Sequence, residues 1–356
     1  MEAAEKHYFV CANTAEGFVD HFRSNLADLD RIFILKGGSG TGKSTLMTRI
    51  GKAYQACDYA VDYIHCSSDA DSLDGVIIPD LSVAIVDGTS PHVVEPVLPG
   101  AIEDYVNLGL ALDRKKLAPY KDKMLAIKKE ISMHYKAVYD YLHQAAIVLE
   151  KSEVTVTDMP ALAADKQQQL FEQILGKTVL LKKAKVKHRF CGALTAKGDV
   201  YPGLDIAKAC EKRCFLNGRQ TDRILHVLAE TALAHGYDVE IYHDHFRSDK
   251  VIFLTVPEQS LCVLSQQYPS VKKLRRSSDS WYDLDALGDA PVQHVEKIPT
   301  PAMPPDCAEL IQKASDALSA AHKAHSALEQ FYYPAVDFEI VEQIHDAIRA
   351  EIDTLG

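Results

Sequence analysis

The chain carries, at residues 32–45, the sequence IFILKGGSGTGKST. Its first four residues are an apolar run typical of a buried strand, and residues 37–45 fit the pattern G-x-x-x-x-G-K-[ST] of a phosphate-binding loop. In such a loop, glycines let backbone N–H groups point toward the phosphates of a bound nucleotide. The lysine contacts the oxygens of the β- and γ-phosphates, and the serine or threonine hydroxyl binds Mg²⁺. Apolar residues at helical spacing follow, so we expect a helix that begins at Lys43 and adds its positive N-terminal dipole. The residues predicted to bind the nucleotide are Gly37, Gly38, Ser39, Gly40, Thr41, Gly42, Lys43, Ser44 and Thr45.

Length and composition are those of a globular protein of two domains. The 356 residues are 47% hydrophobic, which is enough for two cores. We find no apolar run of the roughly 20 residues that cross a bilayer, no secretory signal and no C-x-x-C pair among the eight cysteines. We therefore expect a cytoplasmic protein with reduced thiols and no membrane partner. The net charge of −11 repels polyanions, so we do not expect nucleic acid as a partner.

The sequence repeats itself. The motif His7-Tyr8-Phe9 recurs 181 residues later as His188-Arg189-Phe190. Beyond the glycine-rich loop the offset falls to 178, because residues 59–65 match residues 237–243. Three residues are therefore missing from the second copy, within its loop or the first turn of the following helix. We place the two copies at residues 1–181 and 182–356.

The second copy has lost the features that bind phosphate. Its loop reads GRQTDRIL at residues 218–225, without the lysine and without a glycine after Gly218. Residues other than glycine resist the positive φ angles that point successive amides at an anion. The apolar run that ends in Asp87 in the first copy ends in Ser265 in the second. We expect the second copy to keep the fold without the site.

The order of apolar runs predicts an α/β fold with two three-layer αβα domains in tandem. Each copy also contains helical segments after its strands. In the first copy we expect a helical hairpin formed by residues 114–151 and then 159–175, and we expect a second hairpin at the end of the chain. Each domain is thus predicted to carry its own appended hairpin.

Several carboxylates and one histidine are candidates for the chemistry. Asp87 ends a four-residue apolar strand, where it and Ser44 would together hold Mg²⁺. Gly88 follows, at a position where many motor-type ATPases have a glutamate that polarises water. The nucleophile must then be oriented by another group, and Asp69, Asp74 and His92 are the candidates because the carboxyl ends of parallel strands open onto one crevice. The alternative is that Asp69 and Asp74 only make side-chain turns in a loop and that His92 is a packed structural residue.

These motifs together resemble an uncharacterised family of bacterial tandem P-loop NTPases, described as ATPases or nucleotide-kinase-like proteins. The likeness spans nearly the whole chain, and its carriers are residues 7–9, 37–45, 65–69, 72–79, 87–92 and 99–101. The resemblance implies ATP or a similar nucleotide as ligand. Members of the family keep a phosphate loop in both halves, and the second loop of this chain departs from that pattern.

The sequence leaves three functions open. The first is a Mg²⁺-dependent ATPase with one site, in which Lys43 and the loop amides hold the phosphates. The second is a kinase that transfers phosphate to a small molecule, whose hydrolysis in water would be slow. The third is a nucleotide-dependent switch whose hairpins move to grip or free an unknown protein or small-molecule partner.

Overall fold

We describe a computed structural model of the chain that covers residues 4–152, 162–218, 220–285 and 303–356. The protein has an α/β architecture built around two six-stranded sheets. No described helix combines the length and the apolar character needed to cross a bilayer.

The first copy begins with the strands of the first sheet and continues into a long helix. Its elements are β1 (Glu5–Tyr8), β2 (Cys11–Thr14), β3 (Gly17–Asp20), α1 (Phe22–Leu26), β4 (Arg31–Lys36), α2 (Lys43–Gln55), β5 (Val61–His65), β6 (Leu73–Ile78), β7 (Val83–Asp87), β8 (Glu103–Asn107), α3 (Arg114–Leu117), α4 (Lys121–Ser152) and α5 (Ala164–Leu175).

The second copy has the same order of strands, with one short helix, α8 (Pro269–Lys272), placed between its last two strands. Its elements are β9 (Val186–Phe190), β10 (Ala193–Thr195), β11 (Gly198–Val200), α6 (Leu204–Ala209), β12 (Lys212–Asn217), α7 (Thr221–Ala234), β13 (Val239–His243), β14 (Val251–Val256), β15 (Leu261–Ser265), α8 (Pro269–Lys272), β16 (Ser280–Asp283), α9 (Pro305–Tyr332) and α10 (Phe338–Ile352).

The two sheets have the same topology, which confirms the repeat. The first sheet has the order β1-β5-β6-β7-β4-β8, and the second has the matching order β9-β13-β14-β15-β12-β16. All neighbours pair in parallel except β6 and β14, which are antiparallel to both of their neighbours. The sheets are therefore mixed. The alternative that Asp74 only makes a side-chain turn in a loop is wrong, because Asp74 is the second residue of β6.

The two copies share a core between their sheets. Apolar side chains from the facing sides of both sheets pack together, and α1 and α6 lie in this layer. Each of these short helices contacts the first strand of the other copy, α1 with β9 and α6 with β1. Burial of one common apolar layer thus joins the halves into a single packed unit.

The helical segments pair differently from our prediction of one hairpin per copy. The long helix α4 packs along α9 of the other copy, through buried residues that include Val138, Leu142, Ala314 and Leu318. Helix α5 packs on α7 and the second sheet, and α10 packs on α2 and the first sheet. The copies therefore exchange their terminal helices, because the apolar stripes of those helices complete the cores of the opposite sheets. The predicted start of the second hairpin helix, Met159, lies outside the described residues.

A buried ion-pair network crosses the boundary between the copies. Arg189 has no exposed surface, and its guanidinium donates to Asp62 Oδ2 at 3.2 Å, to the Tyr242 hydroxyl at 3.0 Å and to Asn25 Oδ1 at 3.0 Å. It also lies 3.0 Å from Glu240 Oε1. The positive charge of the guanidinium neutralises two buried carboxylates, one from each sheet.

Candidate functional site

The glycine-rich loop joins β4 to α2, as the sequence predicted. Strand β4 ends at Lys36 and helix α2 begins at Lys43, with Gly42 as its N-cap residue. Gly40 and Gly42 have φ angles of 68° and 87°, a region that favours glycine. The strand, loop and helix are therefore confirmed as elements. The N-terminus of α2, which carries the partial positive charge of the helix dipole, lies at the loop.

Lys43 and Asp87 face each other across the loop. The Lys43 ammonium donates to the carbonyl oxygens of Gly37 and Gly38, each at 3.1 Å, and lies 3.6 Å from Asp87 Oδ2. Asp87 Oδ1 accepts hydrogen bonds from the Thr89 amide at 2.8 Å and hydroxyl at 2.6 Å. Asp87 therefore makes a side-chain turn and also presents its second oxygen to the lysine.

The remaining loop residues differ in their surroundings. The Ser44 hydroxyl accepts a hydrogen bond from the Leu73 amide at 3.0 Å, which ties the start of α2 to β6. Thr41 is buried and donates to the Gly38 carbonyl at 2.8 Å, whereas Thr45 is exposed. Ser44 keeps its own hydroxyl proton and a free lone pair for a further partner.

Asp74 and His92 form a buried pair beneath the loop. His92 Nε2 lies 3.5 Å from Asp74 Oδ1. Burial raises the pKa of Asp74, a rise that the charge of His92 opposes and that of Asp87 reinforces. The structure thus brings Asp74 together with Asp87 and His92 at the carboxyl end of β7.

Asp69 lies nearer the surface, in the loop between β5 and β6. Its carboxylate accepts a hydrogen bond from the Ser72 hydroxyl at 2.9 Å, so the turn that was the alternative reading is present. Asp69 and Lys43 are both close enough to His325 of α9 for their charges to act on its pKa, which burial lowers. Asp69 is thus a half-buried residue of the loop that precedes β6.

Helix α9 of the second copy covers the loop. His325 Nε2 lies 3.1 Å from the Ser39 hydroxyl, and His325 Nδ1 lies 3.6 Å from Glu329 Oε1. The Tyr332 ring packs against Gly38 so closely that a Cβ there would lie 2.7 Å from the ring. These three residues of α9 are site residues that sequence reasoning missed. No local signal could reveal them, because 286 positions separate Ser39 from His325.

The absence of a glutamate after Asp87 has a steric cause. A Cβ at Gly88 would overlap the Ile34 side chain and crowd Lys36, whose ammonium donates to the Gly88 carbonyl at 2.6 Å. Any side chain at this position would therefore force the Ile34 side chain on β4 to shift.

The second copy replaces the site with internal hydrogen bonds. Helix α7 begins at Thr221, three residues after Gly218, so the predicted shortening falls in the loop. Asp222 takes the position of Ser44, since its carboxylate accepts from the Val251 amide at 2.8 Å. The Gly218 carbonyl accepts from the Thr221 hydroxyl at 2.6 Å and from Gln267 Nε2 at 2.8 Å.

Comparisons of the chain with protein families, with curated proteins and with solved structures found no match.

Proposed function

We propose that this chain is a Mg²⁺-dependent P-loop NTPase that binds ATP at a single site in its first copy and hydrolyses it there. The observation that carries the proposal is the position of Lys43, which lies on the glycine-rich loop 3.6 Å from Asp87. The proposal includes the finer fold assignment, in which each sheet with its flanking helices is a P-loop NTPase-like domain and the second has lost its site. We propose the cytoplasm as its compartment.

The residues present suit a magnesium nucleotide. Ser44 offers a hydroxyl, and Asp87 offers a carboxylate oxygen to the loop side. Hard oxygen donors of this kind are those that Mg²⁺ takes beside phosphate oxygens. When bound, Mg²⁺ would neutralise charge on the phosphates. Lys43 would exchange its hydrogen bonds to two carbonyl oxygens for hydrogen bonds to phosphate oxygens. The backbone amides of residues 37–45 would donate hydrogen bonds to the remaining phosphate oxygens.

Among the three predicted candidates, Asp69 is the one we propose for orienting the attacking water. Asp74 and His92 are buried beneath the loop, whereas Asp69 is partly exposed in the loop between β5 and β6. A carboxylate at that place can accept a proton from water as the bond to phosphorus forms. Asp74 and His92 would then act by fixing the surroundings of Asp87.

Substitution of Asp69 by asparagine tests this role. The amide oxygen can still accept from Ser72, so the turn is kept while the charge and proton acceptor are lost. We expect phosphate release from ATP to fall by about 10²- to 10⁴-fold with little change in nucleotide affinity. Asp71, an exposed residue of the same loop, supplies the control Asp71→Asn, which should leave turnover unchanged.

Unchanged turnover in Asp69→Asn would exclude Asp69 from catalysis. The same assay separates the enzymatic alternatives. An ATPase releases phosphate in water alone, whereas a small-molecule kinase does so slowly until its acceptor is added.

The cover of α9 over the loop favours a second candidate, a nucleotide-dependent switch. Tyr332 and His325 occupy the loop surface, and the same helix packs along α4. If the phosphates of a bound nucleotide break these contacts, α9 moves and its packing against α4 changes. Nucleotide binding would then alter the surface that a partner recognises.

The variant Tyr332→Ala tests the switch. Removing a ring that rests on Gly38 removes a contact that nucleotide binding must break, so we expect ATP to bind about 2- to 10-fold more tightly. The neighbouring Tyr333 is exposed, and Tyr333→Ala serves as the control. Equal or weaker binding by Tyr332→Ala, measured by calorimetry, would show that α9 does not oppose the nucleotide.

A further inference from the structure

Three side chains with metal-binding atoms converge in the interior of the first copy. Cys11, Asp74 and His92 each offer a ligand atom, and these atoms all lie within 4.8 Å of one another. The residues are 0%, 3% and 7% exposed. They come from β2, from β6 and from the segment after β7, so the group joins three separate parts of the chain.

Two polar atoms of this group have no hydrogen-bond partner among the described residues. They are Asp74 Oδ2 and His92 Nδ1, and both are buried. An unsatisfied buried polar atom costs about 1–3 kcal/mol, and more when it is charged. Asp87 lies close enough to act on Asp74 as a second negative charge. A cation bound to the Asp74 carboxylate would give Oδ2 a partner and would offset the repulsion between the two carboxylates.

The second copy shows that the fold does not require these residues. At the positions of Cys11, Asp74 and His92 it has Gly192, Ile252 and Ser270, respectively. This copy keeps the same strand order. The donor set is therefore a property of the copy that also has the intact loop, and packing alone does not explain it.

We propose that Cys11, Asp74 and His92 bind one Zn²⁺ ion. Zn²⁺ takes thiolate, imidazole and carboxylate ligands, and three protein ligands leave a fourth position for a solvent molecule. Binding releases the Cys11 thiol proton to solvent. The ion would link β6 to β2, which pairs with β3 in a hairpin, and would hold Asp74 beside Asp87. It is distinct from the magnesium bound through Ser44 and Asp87, and it does not depend on nucleotide binding.

The experiment is a metal analysis of the full-length protein. We expect one equivalent of zinc per chain, and we expect cobalt, after removal of zinc, to give the charge-transfer absorption of a thiolate ligand. Cys11→Ser and His92→Ala should each lose the stoichiometric zinc. The buried Cys191 of the second copy supplies the control Cys191→Ser, which should keep it.

A second group of similar residues provides a further control. Glu342, His345 and Asp346 lie together on α10, with both carboxylates exposed. Zinc lost in His345→Ala but kept in His92→Ala would overturn the proposal. If neither ligand variant folds, the wild-type protein decides. A folded chain that holds no zinc and gives no thiolate absorption with cobalt would also overturn it.

Discussion

Replacing Lys43 with alanine is expected to lower ATP turnover by at least about 10²- to 10³-fold, the cost of removing one group that stabilises developing charge. The ammonium is the only cation of residues 37–45, and it lies 3.6 Å from Asp87. Without it, the phosphate oxygens would meet the Asp87 carboxylate with no intervening positive charge. Phosphate release and nucleotide affinity should therefore both fall.

Lys52 provides the matched control for this variant. It is an exposed lysine on the same helix, α2, and Lys52→Ala should keep the wild-type rate. Circular dichroism and thermal unfolding would show that both variants remain folded. A wild-type rate no higher than that of Lys43→Ala would mean that the protein is not an ATPase, and the switch would then be the better explanation.

Replacing Arg189 with methionine is expected to destabilise the protein by about 3–5 kcal/mol, the cost of leaving buried charges unpaired. Asp62 and Glu240 would keep their carboxylates in the interior, where Arg189 now neutralises them. The loss is measured as the free energy of unfolding in urea. Arg223 is exposed on α7, and Arg223→Met should change that free energy by less than about 0.5 kcal/mol.

The same network predicts a dependence on pH. Burial alone would raise the pKa of Glu240, but the charges of Arg189 and Lys6 hold it well below its ordinary value. A depressed pKa contributes stability above the unfolded value of about 4.3, and that stability is lost as the pH falls. Wild-type stability should therefore decline in acid below about pH 4, and Arg189→Met should show a weaker decline. An unchanged free energy and an unchanged acid limb would exclude this role for the network.

The sequence predicted the elements whose signals are local. The apolar run before the glycine-rich loop is strand β4, and the helix begins at Lys43 as expected. The repeat was visible because corresponding strands kept their residue types at fixed offsets. The shortened second loop could also be located, since the offset changes only there.

Features that depend on distant contacts could not be predicted in this way. Strand β6 is buried along its whole length, so no alternation of polar residues indicates its direction. The exchange of α5 and α10 between the copies depends on which sheet accepts an apolar stripe, and a stripe alone does not specify its partner. The packing of α9 over the loop and the burial of Arg189 also depend on contacts between residues that are distant in the sequence.

The exchange of helices also bears on the predicted boundary at residues 181 and 182. Residues 325–353 of the second copy contact the loop and helix α2 of the first, through pairs such as Arg49 with Glu342 and Tyr54 with Asp353. The loop is thus surrounded by both copies. A fragment that ends at residue 181 would lack this cover, and functional studies should use the full chain.

The most direct test of the central claim is calorimetric titration of the full-length protein with a non-hydrolysable ATP analogue and Mg²⁺. The account predicts one equivalent bound per chain in the wild type and weaker binding at the same site in Lys43→Ala. No binding by the wild type, or two equivalents per chain, would contradict it.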